Sequence, residues 1–190
     1  MAITILNTNT LSCPVPDNIT PLSPNGFQFN INKLPELDFF CQQVNLPGIT
    51  LGNVEQMNPF VNNQIPGEIL SYDQLQIQFL VDNQMKNYKA VYNWLVALGF
   101  PNNYDQYKAL IAGDKNNYSE LAKNYSDGTL SILTGTNTVT QQVQFIDLFP
   151  LSLESMMFQS TNTDVQYLVG SATFRYTYYK FIWFFVRLVV

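Results

Sequence analysis

The stretch from Tyr72 to Leu98 constrains the fold more than any other part of the chain. Leu75, Ile77, Phe79 and Val81 alternate with Gln74, Gln76, Gln78 and Leu80. That period of two gives a strand one apolar face. Met85, Tyr88, Val91, Tyr92, Leu95 and Leu98 follow at steps of three and four, which places them on one helical face. Asp82 or Asn83 can accept hydrogen bonds from the free amides of a helix start. Gly99 can turn left-handed at the helix end, and Pro101 prevents continuation. A strand that runs this directly into a helix must pack on it or beside it. The remaining chain reads as sheet that this unit completes.

Before it, Gly26 to Asn32 reads as a strand, Lys33 to Glu36 as a turn and Phe39 to Val44 as the return strand of a hairpin. Leu46-Pro47-Gly48 breaks the pattern, and Ile49 to Met57 is extended. Asn58 to Pro66 is a loop or hairpin tip, and Pro66-Gly67 is a turn signal. After it, Tyr104, Tyr107, Leu110 and Ile111 fit a short helix, and Tyr118, Leu121 and Tyr125 fit another. Ser126-Asp127-Gly128 reads as a turn, Thr129 to Leu133 as a strand and Gly135-Thr136-Asn137 as a tight turn. Thr138 to Phe149 is a strand ended by Pro150, and Leu153 to Gln159 is a third. Asn162 to Asp164 turns the chain into a last strand, Tyr167 to Tyr179, with Ala172, Phe174, Tyr176 and Tyr178 on one side. The expected class is α+β: an antiparallel β-sandwich or partial barrel with one principal helix. The expected organisation is a proline-rich arm over 1–24, a domain over 25–180 with an insertion at about 102–125, and an apolar extension over 181–190.

The composition removes most chemistry. No histidine is present, so Ser–His–Asp and Cys–His catalysis fail. Two cysteines, Cys13 and Cys41, without histidine make a zinc site improbable. A disulfide between them stays open, but two reduced thiols with Cys41 buried in a strand is the simpler reading. No Gly-rich phosphate loop occurs. Glu120 with Asp127 is a formal carboxylate pair, but both sit at ordinary solvated or turn positions. Asp105, Asp114 and Asp127 do not match a calcium loop. Trp94 on the helix and the tyrosines Tyr176, Tyr178 and Tyr179 read as packing rather than a stacking platform. The expectation is a protein without catalysis or cofactor.

The net charge of −5 and the two arginines, Arg175 and Arg187, argue against gripping nucleic acid through its phosphates. Charged residues make up 12% of the chain, about half the share of an ordinary soluble domain. A surface so poor in charge suits a subunit with large faces covered by other protein. The N-terminus lacks the basic region and apolar core of a secretory signal. The apolar stretch Phe181 to Val190 falls short of the ~20 residues that span a bilayer as a helix.

The order of short motifs resembles the tail tube proteins of contractile-tailed, T4-like bacteriophages, including tube-fold baseplate components. The motifs are Asn25-Gly26-Phe27-Gln28-Phe29, Phe40-Cys41-Gln42, Leu46-Pro47-Gly48, the Pro66-Gly67 turn and Tyr72-Asp73-Gln74-Leu75. Phe79-Leu80-Val81-Asp82-Asn83 leads into a helix ending near Trp94. Val143 to Leu148, Phe149-Pro150 and the aromatic strand near Phe174 to Tyr178 follow. Each is short and degenerate; the specificity lies in their order over about residues 25–180. The resemblance implies a structural virion protein of the tail, assembled in the host cytoplasm, whose hexameric rings stack to enclose a DNA channel. Strands of neighbouring subunits would close one barrel, and loops and hairpin tips would join rings. The implied partners are further copies of itself and sheath, baseplate or neck proteins, with DNA passing the lumen unbound. An initiator or terminator at one end of the tube is the alternative within this family. A carbohydrate- or receptor-binding β module is the alternative outside it.

On this basis Gln74, Gln76, Gln78, Gln142 and Gln144 are candidates for the channel face. Leu75, Ile77, Phe79, Tyr88, Leu95, Val143, Phe145 and Phe174 are candidates for the core. Phe181, Trp183, Phe184 and Phe185 are candidates for inter-subunit contact, since an apolar end left in water would be an aggregation risk.

Overall fold

The computed structural model describes residues 21–113, 124–160 and 167–182. In chain order they form β1 (Phe27–Ile31), a 3-10 turn (Pro35–Leu37), β2 (Cys41–Val44), β3 (Ile49–Gln56), β4 (Asn63–Tyr72) and β5 (Leu75–Leu80). Two helices follow, α1 (Lys86–Gly99) and α2 (Asp105–Gly113). The chain continues with β6 (Ser126–Leu133), β7 (Val139–Leu153), β8 (Val169–Arg175) and β9 (Tyr178–Ile182). The class is α+β with antiparallel sheets that stay open. Seven strands form one sheet in the order β1-β6-β7-β8-β5-β2, with β9 also on β7; β3 and β4 form a separate two-stranded sheet.

The long strand β7 organises this arrangement. Its first part, to Leu148, pairs with β6, and Gln142 to Ile146 also pair with β9. Its second part, from Phe149, pairs with β8. Between the two pairings Asp147 takes a positive φ of 56°. The Thr177 hydroxyl donates to the Asp147 carboxylate at 3.3 Å, and the Thr177 amide donates to the Ile146 carbonyl at 3.0 Å. The strand thus serves two sheet halves that share one core. Phe29, Ile31, Leu130, Val143, Phe145 and Leu148 enter it from one half, and Leu75, Ile77, Phe79, Ala172 and Phe174 from the other. Helix α1 covers this core with Val91 and Trp94, the Trp94 ring lying 6.3 Å from Phe174.

The expected alternation of β5 is observed, with Leu75, Ile77 and Phe79 fully buried and Gln76 and Gln78 exposed. Several other expectations are corrected. The first strand does not return on β2: β1 pairs with β6, and β2 pairs with β5. Pro66 and Gly67 lie inside β4, at a shift of register, rather than in a turn. Ser126 to Gly128 opens β6 through a similar shift. Pro150 does not end β7; the strand continues past it, with an irregularity between Pro150 and Ser152. A bulge is one of the few sheet positions that can do without a backbone N–H. Beyond Leu153 the expected third strand is absent; the chain to Gln159 is irregular, apart from the Glu154 amide donating to the Ser171 carbonyl. The last strand is two strands, broken at Tyr176 and Thr177, so Tyr178 is exposed rather than beside the buried Tyr176.

Helix α1 also departs from expectation at both ends and in its facing. Neither Asp82 nor Asn83 caps it through a side chain; the cap position is Met85, with left-handed backbone. Phe100, not Gly99, takes the left-handed conformation at the far end, its amide donating to the Val96 carbonyl at 2.7 Å. The buried line is Asn87, Val91, Trp94 and Ala97. Tyr88 and Leu95 pack at the edge of the core, and Tyr92 is exposed. The cause is Asn87. Its amide donates to the Leu80 carbonyl at 2.7 Å, and its oxygen accepts from the amides of Asp82 and Tyr88. One buried polar side chain therefore ties the end of β5 to the start of α1 and turns the helix about its axis. The expected helix through Tyr104 and Ile111 is α2; the one through Tyr118 and Leu121, the turn at Asn162 to Asp164 and the arm to Thr20 lie outside the described residues.

Candidate assembly surface

The β2–β5 pair does not stop at the edge of the main sheet. Past Leu46-Pro47-Gly48 it continues as the β3–β4 hairpin: the Asp73 amide donates to the Gly48 carbonyl at 3.0 Å, and Ile49 then faces Tyr72. This hairpin is exposed almost throughout. Ile49 opposite Tyr72 and Leu51 opposite Leu70 lie near its root, and Val54 opposite Ile65 lies nearer its tip. Ile69 is 76% exposed, Met57 90% and Phe60 94%. Toward the tip one face is polar and internally bonded. The Asn53 amide donates to the Gln64 side-chain oxygen and the Gln64 amide to the Glu55 carboxylate, each at 2.7 Å. Val54 and Ile65, by the alternation of a strand, look out from the opposite face.

The local sequence explains why this ribbon holds its shape. At the register shift between Leu51 and Asn53 the two backbones approach closely, and a Cβ on Gly67 would lie 2.5 Å from the Gly52 carbonyl oxygen. Only glycine fits there. The root is held by rings. Tyr72 lies 6.0 Å from Tyr176 and 5.6 Å from Tyr179, and Phe145 lies 5.1 Å from Tyr176. The Tyr179 hydroxyl donates to the Pro47 carbonyl at 3.2 Å, and the Arg175 guanidinium donates to the Tyr72 carbonyl at 3.4 Å. Burial, with the neighbouring Tyr179 and Asp73, pushes the Tyr176 phenol well above its ordinary range; burial, then Tyr72, raises the Tyr179 phenol. The Tyr176 hydroxyl is buried with no hydrogen-bond partner among the described residues.

Two further features suit association. Among the described residues β1 and β2 stand at the ends of the strand order, so each has an edge with no strand paired to it, which natural proteins seldom leave uncovered. Phe39, Met157, Phe158 and Tyr167 are also strongly exposed. Among the described residues no cluster of three or more metal-ligating side chains occurs, and no helix is long and apolar enough to cross a membrane.

Of the residues singled out in the sequence, Leu75, Ile77, Phe79, Val143, Phe145 and Phe174 are buried together. Gln76 and Gln78 lie on the face of β5 away from that core, while Gln74, Gln142 and Gln144 are half-buried. Gln142 donates to the Ser131 hydroxyl at 3.1 Å. Phe181 is half-exposed in β9, and Trp183, Phe184 and Phe185 lie outside the described residues. Cys41 is half-buried at the start of β2 and is a free thiol, and burial pushes it up to about 12. The hairpin was missed as a site. Its signal was the run of Ile, Leu and Val residues on both sides of Asn58 to Pro66.

Comparison with known proteins follows the same lines. A family model for phage tail tube proteins matches residues 10–182. The tail tube terminator protein of Enterobacteria phage T4 is 28% identical over 144 residues, covering 74% of this chain and 75% of that protein. Two cryo-EM structures from the anti-feeding prophage share the fold. A chain of its baseplate has a TM-score of 0.58 at 14% identity, covering 86% of this chain and 96% of that one. A chain of its tube-terminating cap has a TM-score of 0.57 at 16% identity, covering 92% and 99%.

Proposed function

The chain belongs to the phage tail tube protein family, and from that premise we propose that it is a structural, non-catalytic ring subunit at an end of a tail tube. The β3–β4 hairpin carries this reading. A two-stranded ribbon is at best marginal in water on its own, and this one exposes apolar side chains at its root, tip and distal face. It is built to be covered by other subunits. The likeness to the T4 tail tube terminator supports a place at the end of the tube rather than along it.

In this reading copies of the chain form a hexameric ring whose open β1 and β2 edges are closed by neighbours, which removes the edge hazard. The hairpin reaches a neighbouring subunit. The polar face bearing Gln76 and Gln78, with the glutamines of β7, is the candidate lining of the channel. A net charge of −5 suits a lumen that lets DNA pass without holding it. Sheath, baseplate or neck proteins are the expected neighbours in the virion, and assembly in the host cytoplasm is the expected route.

The test is microscopy. The purified chain alone, and mixed with tail tubes stripped of their ends, is imaged in negative stain. Extra rings at one end of the tubes, with no tube growth by the chain alone, are expected. Long tubes formed by the chain alone would make it the repeating subunit. A monomer that never joins rings or tubes would overturn the reading.

A further inference from the structure

The hairpin continues outward from the sheet, and among the described residues its hydrogen bonds to the rest of the chain lie at its base. Each of its strands runs outward for at least the 8 residues of β3, about 25 Å at the rise of an extended chain. A change of about 10° in its direction would therefore carry the tip about 4 Å, enough to break side-chain contact there.

At the base two side chains from the β8–β9 junction reach over. Tyr179, on β9, donates to the Pro47 carbonyl on the β3 side, at 3.2 Å. Arg175, the last residue of β8, donates to the Tyr72 carbonyl on the β4 side, at 3.4 Å. Both strands of the hairpin are thus gripped from one short segment. The Tyr72 ring sits edge-on to Tyr176 and Tyr179, which themselves pack on Phe145 of the core. Between the two grips lies Gly48, where an added Cβ would stand 2.7 Å from a carboxylate oxygen of Asp73. A side chain at this position would have to displace the Asp73 carboxylate.

We propose that Tyr179 and Arg175 form a clamp that sets the direction in which the β3–β4 hairpin leaves the sheet, and through that direction controls whether the chain assembles. They are positioning residues: they need not touch a neighbour themselves. The core does not depend on either hydrogen bond, since both go to carbonyls of the hairpin root. The control of assembly rests on the reading of the hairpin as the assembling element; the clamp itself is a property of the free chain.

Tyr179→Phe keeps the ring and removes only the hydrogen bond; Arg175→Gln removes the charged donor. The double variant is compared with the wild type by thermal midpoint, by hydrogen–deuterium exchange of the free chain and by sedimentation of assemblies. The expected result is an unchanged midpoint, exchange at the β3–β4 root about fivefold faster with β5 and β8 unchanged, and clearly reduced assembly. Wild-type exchange in the hairpin overturns the clamp, whatever the hairpin docks on. Faster hairpin exchange with wild-type assembly overturns its control of assembly. Faster exchange in β5 and β8 as well would show a general folding role and also overturn the proposal. Because the exchange is read on the free chain, a failure of the tube-end reading leaves that readout intact.

Discussion

Strand β5 and the β3–β4 hairpin are continuous in space, and both are rich in Ile and Leu, yet they serve opposite ends. In β5 the apolar side chains Leu75, Ile77 and Phe79 are fully buried in the core, beside β8. In the hairpin Ile49, Leu51, Val54, Ile65, Ile69 and Leu70 all remain exposed. The difference lies in what each strand can reach within one chain. β5 has β2 on one side and β8 on the other, and its apolar face enters the core that Val91 and Trp94 of α1 share. Among the described residues the hairpin strands pair with each other alone. Apolar content in an element left exposed by the rest of the described chain points to a covering surface elsewhere.

The largest expected effect follows from the buried side. Phe79→Ala or Phe145→Ala should lower stability by about 3–5 kcal/mol, as buried large-to-small changes do. Ile69→Asn in the hairpin should change it by less than about 0.5 kcal/mol, as exposed substitutions do, while abolishing assembly. Urea unfolding of the monomer and sedimentation of assemblies separate the two. If Ile69→Asn unfolds the chain, the hairpin belongs to the core and the contrast fails.

Asn87→Ala comes next. It leaves the Leu80 carbonyl and the Asp82 amide without their partner, so a loss of about 1–3 kcal/mol is expected. An unchanged urea midpoint would remove Asn87 as the tie between β5 and α1.

A smaller effect concerns alkaline pH. Burial pushes the Cys41 thiol up to about 12 and raises the Tyr176 and Tyr179 phenols. In the unfolded chain the same groups ionise near their ordinary values, 9.0 for the thiol and 10.0 for the phenols. Above those values the unfolded state holds fewer protons, so stability falls as pH rises. The contribution is complete below the unfolded values and is lost as pH climbs toward the folded ones. Urea midpoints taken on either side of that window should decline. Tyr179→Phe together with Cys41→Ser should flatten the decline, and an equal decline in that variant would count against the assignment.

The smallest effect sharpens the root of the hairpin. Tyr176→Phe removes a buried hydroxyl that has no partner among the described residues. The thermal midpoint should hold or rise, because an unsatisfied buried polar group is itself unfavourable. A fall would show that the hydroxyl is bonded in solution.

Elements whose signals are local were legible in the sequence. The alternation of β5, the tight turn through Asn137 and the existence of α1 are all fixed by neighbours in sequence. Non-local features were not. Pro35 and proximity in sequence suggest a β1–β2 hairpin, but which strand pairs with β1 depends on residues about 100 positions away. The prolines misled in one direction. Pro66 and Pro150 looked like ends, yet both sit inside strands at shifts of register. The facing of α1 was misread because an amphipathic count scores Asn87 as solvent-facing, whereas its amide is buried in hydrogen bonds. The candidate site was half visible. Low charge and the order of motifs pointed to an assembling tail protein. The hairpin itself stays hidden, because apolar side chains on a strand read as core until the structure shows them exposed.

Oxidative footprinting of Met57 and Phe60 tests the central claim most directly, since both lie at the hairpin tip and are 90% and 94% exposed in the single chain. The free chain and the assembled ring or capped tube are exposed to the same dose of hydroxyl radicals and digested for mass spectrometry. The account predicts rapid oxidation of both residues in the free chain and strong suppression on assembly, with Tyr92 on the exposed face of α1 as a reference. Equal oxidation of Met57 and Phe60 in the free and assembled states would contradict it.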